Sequence, residues 1–180
     1  MVYIAKSIGL DEVAEYWNQV IIINEHQRKR FAKNILKSLY NTVSGKKITL
    51  LGWAFKKDTN DTRESASIYI ADLLLDELAF LNVYDPQVKE EQIFSDLSRF
   101  EKRTNEENRN QLKFIEDPYL ACDKTHAIAI LTERDEFISY DWKRIYNNMK
   151  KPAFIFDGRN ILDKNLLENI GFIYYGIGKH

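Results

Sequence analysis

The sequence predicts an α/β protein with a doubly wound, mostly parallel sheet of about five or six strands, preceded by a long N-terminal helix. Short apolar runs typical of buried parallel strands alternate with segments of helical periodicity. Residues 47–84 read as strand, helix and strand, which is a βαβ unit that closes right-handed and parallel. Before this unit, residues 11–42 repeat apolar side chains at helical spacing and contain no proline.

One apolar stripe runs along the predicted long N-terminal helix. Its members are Val13, Tyr16, Trp17, Val20, Phe31, Ile35, Leu39 and Val43. Gly9 is expected to end a short preceding helix, with Asp11 as a candidate cap of the long one. A helix from about Asp11 to about Thr42 would extend ~48 Å, which is longer than a small domain is wide. We therefore expect it to link domains or to pack against another subunit.

The remaining elements alternate along the chain. Strands are predicted at residues 47–51, 81–84, 113–115, 127–131, 153–156 and 172–175. Helices are predicted at residues 65–79 and 137–149, and a further helix starts at Asp117–Pro118. Residues 87–111 are the polar part, and we predict that residues 100–110 form a mostly solvated loop without function.

Composition and charge exclude several classes of function. With 26 basic and 27 acidic residues the net charge is -1, which gives no overall attraction to nucleic acid or to an anionic membrane. The lone Cys122 excludes a disulfide framework within the chain and suits a reducing compartment. The longest aliphatic run, residues 20–23, is far shorter than the ~20 residues of a membrane span, and no signal peptide is evident. We expect a cytoplasmic protein without nucleic-acid or membrane partners.

In an open parallel sheet, ligands bind beyond the carboxyl ends of the strands. This rule selects the loop at residues 52–65, the Asp85–Pro86 corner and residues 157–159. The loop lies where a Rossmann fold keeps its glycine-rich pyrophosphate turn, yet Gly52 is the only glycine of the G-x-G-x-x-G pattern that is present. Backbone amides therefore cannot approach a pyrophosphate in the usual way.

Cationic side chains stand in this loop instead of the missing glycines. Lys56, Lys57 and Arg63 precede a predicted helix N-terminus, which favours anions. They can hold a phosphorylated ligand, or the lysines can pair with Asp58 and Asp61 in a solvated loop. The residues alone favour neither interpretation.

The two other strand ends each carry one candidate. Arg159 follows an Asp-Gly turn and could bind phosphate in bidentate fashion, or it could be a surface arginine paired with Asp157 or Asp163. Asp85 stands where NAD-binding folds often place a ribose-binding acid. Because Pro86 follows it, an Asp-Pro turn is the favoured interpretation.

The cysteine and the histidines give little support for a nucleophile or a metal site. Cys122 lies near His126, but its apolar surroundings favour a buried, inert thiol. His26, His126 and His180 are scattered without metal-ligand spacing, so no metal is predicted. His26 adjoins the basic residues 28–30, which we interpret as a solvated face or a salt-bridged interface.

Several stretches of the sequence resemble the UDP-glucose 6-dehydrogenases. The loop at residues 52–65, GWAFKKDTNDTRES, looks like the signature that opens the C-terminal domain of that family. The similarity continues at residues 83–86, 117–123 and 151–159, and residues 15–17 and 24–31 resemble the central helix. It covers nearly the whole chain. One departure is Arg134, where the family usually carries tryptophan.

The resemblance implies an organisation in two parts. Residues 1–44 would be part of a central helical dimerisation region, and residues 45–180 a C-terminal, Rossmann-like UDP-sugar-binding domain. In the family, the NAD-binding domain and the catalytic cysteine lie upstream of the central helix, and Cys122 matches a non-catalytic position. We therefore expect no catalytic residue here. The chain would be a portion, inactive alone, of an enzyme that oxidises UDP-glucose to UDP-glucuronate with two NAD.

The resemblance also implies roles for four side chains. Phe55 and Lys56 match positions that contact the UDP-sugar, and Arg159 matches a substrate-binding arginine. Arg63 matches an arginine that reaches across the domain cleft to NAD. The implied partners are UDP-glucose or a related UDP-sugar and a second copy of the chain, bound through the long helix. The alternative is a standalone, non-catalytic nucleotide-binding or assembly module.

Overall fold

A computed structural model describes residues 1–178, so His180 lies outside the described residues. Two helices, α1 (Val2–Ser7) and α2 (Asp11–Ser38), precede the alternating elements. The strands are β1 (Lys47–Leu51), β2 (Phe80–Tyr84), β3 (Leu112–Phe114), β4 (Ala127–Ile130), β5 (Phe154–Asp157) and β6 (Ile173–Gly176). The other helices are α3 (Ala66–Asp76), α4 (Glu90–Ser98), α5 (Asn105–Gln111), α6 (Pro118–Cys122), α7 (Asp135–Ile138), α8 (Trp142–Asn148) and α9 (Lys164–Ile170).

The six strands form one parallel sheet in the order β3-β2-β1-β4-β5-β6. This confirms the doubly wound α/β prediction. Alternate residues of β4 enter two separate cores, because successive side chains of a strand point to opposite faces. Ala127 and Ala129 pack with α2 and α3, whereas Ile128 and Ile130 pack with α6 and α8. The direction of strand addition reverses between β1 and β4, which opens a crevice at the carboxyl edge.

Helix α2 is mostly exposed, and its last turns pack on the core. Ile35 in these last turns and the C-cap residue Leu39 are buried in the same core as β1. The proposed domain boundary after residue 44 is not tested by this packing and stays a prediction. The helix ends at Ser38, earlier than predicted, because Tyr40 and Asn41 have φ angles of 64° and 61°, which a right-handed helix cannot contain.

The predicted cap of α2 is wrong. Leu10 is the N-cap residue, and Asp11 lies within the first turn, where it makes no side-chain capping hydrogen bond. Its negative charge there still suits the positive end of the helix dipole. None of the helices among residues 1–178 combines the length and the apolarity that a membrane crossing requires.

The polar segment 100–110 is mostly exposed, as predicted, but it is not a loop throughout. Thr104 and Glu107 form a reciprocal capping box that starts α5. Lys102 Nζ lies 2.6 Å from an Asp72 carboxylate oxygen on α3, which anchors the segment to the domain. The single helix predicted at residues 137–149 is in fact α7 and α8, because Asp141 caps a new helix start. Helix α9 was not predicted.

Candidate functional site

A cavity of about 330 Å³ lies in the crevice at the carboxyl edge of the sheet, under helix α2. It collects residues from α2, the loop after β1, the start of α3 and the ends of β4, β5 and β6. They are Asn24, Gln27, Arg28, Phe31, Phe55, Glu64, Ala66, Ile70, Leu131, Gly158, Arg159 and Ile177. Its position at the reversal of strand order is the one at which open parallel sheets bind ligands.

Gly52 makes the sharp turn with which the chain leaves β1. Its φ angle is 93°, and a Cβ added there would lie 2.4 Å from the Cβ of Thr132. The Thr132 hydroxyl donates to the Ala54 carbonyl oxygen at 2.6 Å, which fixes the loop across the end of β4. The one glycine of this loop is thus required by backbone geometry and close approach.

Asp85 occupies the backbone amides that a glycine-rich turn would offer to a phosphate. One of its carboxylate oxygens accepts from the N–H groups of Trp53 at 2.7 Å and Ala54 at 3.0 Å. The other accepts from the Gln87 N–H at 2.9 Å and from Arg134 Nη2 at 2.8 Å. The predicted Asp-Pro turn is confirmed by the Gln87 contact. The loop after β1 therefore does not fit the pyrophosphate of a dinucleotide.

Two further contacts, which the sequence did not predict, fix this loop to neighbouring elements of the fold. The Arg134 side chain is 5% exposed, and its Nη2 also donates to the Thr59 carbonyl oxygen at 3.0 Å. Arg134 thus joins the loop to the buried Asp85 carboxylate. On the opposite side, the Trp53 indole N–H donates to a buried Asp96 oxygen at 3.0 Å. The sequence marked Arg134 only as a departure from the family pattern.

The loop cations point in different directions. Lys57 Nζ lies 3.6 Å from an Asp135 carboxylate oxygen, and Arg63 pairs with Asp61 at 2.7 Å. The hydrogen bonds from Arg63 lower the pKa of Asp61 from 3.8 to about 2. The alternative in which a lysine pairs with Asp61 does not hold, since an arginine takes that carboxylate. Lys56 is exposed and has no ion-pair partner among residues 1–178.

The structure brings Phe55 and Arg159 together in the cavity, whereas Lys56 and Arg63 lie outside its lining. Arg159 Nε donates to the Leu131 carbonyl oxygen at 2.7 Å and lies 3.4 Å from a Glu133 carboxylate oxygen. The alternative in which this guanidinium pairs with Asp157 or Asp163 does not hold. The Asp157 carboxylate accepts the backbone N–H of Arg159 instead, at 3.0 Å. These contacts hold the guanidinium across the ends of β4 and β5.

Cys122 is buried, as predicted. Burial raises the pKa of its thiol to about 12, so the thiolate that a nucleophile needs is not populated at neutral pH. His126 is not a base for it, because its Nδ1 accepts the Lys47 N–H at 3.1 Å. In the described part of the chain, no group of three or more His, Cys, Asp or Glu side chains could hold a metal ion.

Comparison with known proteins gives one consistent family. The profile of the UDP-glucose/GDP-mannose dehydrogenase family, UDP binding domain, matches residues 49–164. UDP-glucose 6-dehydrogenase of Rattus norvegicus is 52% identical over 99% of this chain and 37% of its own length. The Drosophila melanogaster enzyme is 50% identical over 99% of this chain and 38% of its own length. This chain therefore spans well under half of the length of these relatives.

Solved structures show the same fold. A UDP-glucose dehydrogenase from Pyrobaculum islandicum superposes with a TM-score of 0.70 and 23% identity, covering 99% of this chain and 35% of that one. A UDP-D-ManNAc dehydrogenase from Pyrococcus horikoshii gives a TM-score of 0.63 and 25% identity, covering 94% of this chain and 34% of that one.

Proposed function

The chain belongs to the UDP-glucose/GDP-mannose dehydrogenase family and carries its UDP binding domain, and we propose that its cavity under α2 binds the UDP moiety of UDP-glucose or a related UDP-sugar. One observation carries the proposal. Phe55 and Arg159, which stand far apart in the sequence, line the same cavity at the reversal of strand order.

The chemistry of the cavity suits a nucleoside diphosphate. A guanidinium presents a planar fork of N–H donors that matches phosphate oxygens in bidentate geometry. The Phe55 ring, 49% exposed, offers an apolar surface to a base or a sugar. Ala66, the first residue of α3, also lines the cavity and places the positive end of that helix dipole beside the ligand. Lys56 adds an exposed cation in the adjacent loop.

NAD is the cofactor that we propose for the whole protein, as acceptor of hydride in the oxidation of UDP-glucose to UDP-glucuronate. The loop after β1 does not fit it, because Asp85 takes the amides of that loop. Cys122 does not fit the role of a reactive thiol. We therefore assign substrate binding to the described residues. Arg63, with 81% of its side chain exposed, is the one that we place toward the cofactor.

Self-association is the second part of the proposal. Many large apolar residues of α1, α2 and the turn between them are exposed, and we define this set as the α1–α2 apolar face. Its members are Tyr3, Ile4, Ile8, Val13, Tyr16, Val20, Ile21, Ile22 and Ile23. Monomeric proteins rarely leave so many large apolar side chains together in water. We propose that a second copy of the chain covers this face.

Calorimetric titration of the whole chain with UDP tests the nucleotide site. We expect saturable binding that is weakened at least about tenfold by Arg159→Ala, because a charge-assisted hydrogen-bond pair is lost. Lys56→Ala should weaken it by a smaller factor, since its ammonium is solvated. Lys33→Ala removes an exposed charge of α2 outside the cavity and should change nothing. Absence of UDP binding at millimolar ligand would contradict the proposal.

A further inference from the structure

We propose that Arg28 of helix α2 is a second diphosphate-binding arginine in this cavity, so that the ligand ties α2 to the sheet. The inference rests on the proposed function, since it takes UDP as the ligand. Sequence reasoning placed Arg28 in a solvated or salt-bridged basic cluster. In the structure, Arg28 is the one half-buried residue among residues 21–30, which are otherwise exposed.

Two contacts fix the orientation of the Arg28 guanidinium at the edge of the cavity. Its side chain is 17% exposed, and its central carbon lies 3.9 Å from the centroid of the Tyr69 ring. Nη2 donates to the backbone carbonyl oxygen of Glu64 at 2.9 Å. A planar cation fixed by stacking and by one hydrogen bond loses little side-chain freedom when an anion binds.

Most of the hydrogen-bonding capacity of Arg28 remains open to a ligand. A guanidinium has five N–H donors. In the described part of the chain, the Arg28 side chain makes one hydrogen bond, which Nη2 donates to the Glu64 carbonyl oxygen. The nearest carboxylate oxygen, Glu64 Oε2, lies 3.6 Å from Nη2, which is too long for a hydrogen bond. Arg28 therefore faces the cavity as a cation with unused donors.

Two arginines from different elements belong to the lining of the cavity. Arg28 enters its lining from α2 and Arg159 enters from the end of β5, with the first residue of α3, Ala66, also in the wall. A diphosphate carries its charge on two groups, so each arginine can take one of them. A monophosphate could satisfy only one of the two arginines fully.

Glu64 is the competitor of the ligand in this arrangement. Its side chain is 73% exposed, and its carboxylate accepts the Tyr69 hydroxyl at 2.9 Å beside Arg28. The negative charge of this carboxylate, 3.6 Å from Arg28 Nη2, opposes the approach of a diphosphate to the same guanidinium. Removing the negative charge of Glu64 should therefore tighten binding of UDP, but only while Arg28 is present.

Titrations of the whole chain with UDP and with UMP test the inference. We expect Arg28→Gln to weaken UDP about tenfold, as loss of one charge-assisted contact does, and to weaken UMP less than about twofold. Arg28→Lys should fall between, because it keeps the charge but not the fork. Lys33→Gln, an exposed charge of the same helix outside the cavity, is the matched control and should alter neither affinity.

A double-mutant cycle separates ligand binding from a purely structural role. Glu64→Gln should tighten UDP, and the gain should vanish in Arg28→Gln/Glu64→Gln. If Arg28→Gln lowers UDP and UMP affinity equally and Glu64→Gln gives no gain, Arg28 only joins α2 to α3 and the inference is wrong. If Arg159→Ala abolishes UDP binding while Arg28→Gln behaves as Lys33→Gln, the inference also fails and the proposed function stands. A wild-type chain that binds no UDP overturns both.

Discussion

At the scale of single residues, a carboxylate of the protein takes the place that a ligand phosphate has on the glycine-rich turn of dinucleotide-binding folds. Asp85 accepts hydrogen bonds from the backbone N–H groups of Trp53 and Ala54, and the buried guanidinium of Arg134 balances its negative charge. An anion supplied by the protein thus stabilises the loop after β1, and the proposed site of the ligand anion is the cavity and not the amides of that loop. In this account, Asp85 orders the loop, and the arginines of the cavity are the charges proposed to bind the ligand.

Asp85→Asn tests this role. An asparagine presents one oxygen and leaves Arg134 buried beside a neutral group, and breaking such a pair costs about 3–5 kcal/mol. We expect the urea concentration at the midpoint of unfolding to fall accordingly. The slope of the unfolding free energy against urea concentration should change little. Asp58→Asn is the control, because Asp58 is exposed and asparagine tolerates its φ of 59°. Equal unfolding midpoints for Asp85→Asn and wild type would contradict the assignment.

At the scale of elements, the turn after β1 depends on both backbone conformation and close packing at Gly52. Gly45 also has a positive φ, 70°, but has no atom within 4 Å of an added Cβ, whereas Gly52 has Thr132 at 2.4 Å. Gly45→Ala should therefore cost about 1 kcal/mol through backbone strain alone. Gly52→Ala should cost about 1–3 kcal/mol more, because Thr132 has to move. Equal unfolding free energies for the two variants would show that the close approach is unimportant.

Strands were easier to predict than helices for a physical reason. All six strands form within one residue of their predicted bounds, because buried parallel strands are continuous apolar runs. Helices α4 and α5 were missed. They are short and polar, and α5 depends on a capping box and on ion pairs from Lys102 and Arg103 to α3, which no local periodicity displays.

The candidate site was predictable only in part. Phe55 and Arg159 follow strands, so the strand-end rule and the family motif place both at one edge of the sheet. Arg28 and Arg134 act through partners that stand 36 and 49 positions away in the sequence, at Glu64 and Asp85. Such pairings arise from the packing of whole elements, and a single sequence carries no local signal for them.

At the scale of the whole molecule, α2 connects the cavity with the α1–α2 apolar face. Its second half packs on the core and lines the cavity through Arg28 and Phe31, and its first half carries Tyr16 and Ile23 in water. A ligand that ties α2 to the sheet would therefore also fix the direction of the exposed half. Nucleotide binding and self-association are thus expected to be coupled through one helix.

Sedimentation velocity tests the proposed self-association. We expect the wild-type chain to sediment as a dimer or larger species, and Tyr16→Glu/Ile23→Glu to sediment as a monomer, because two charges would be buried in the contact. Leu166→Glu is the control, since Leu166 is 52% exposed on α9, outside the α1–α2 apolar face. A wild-type chain that is monomeric at all concentrations would exclude the proposed dimer.

The central claim is that UDP binds in the cavity under α2, and amide chemical-shift mapping during a UDP titration tests it most directly. The account predicts saturable shifts at Phe55, Gly158 and Arg159, together with Gln27 and Arg28 across the cavity on α2. Shifts confined to the ends of β2 and β3, or no shifts at millimolar UDP, would contradict it.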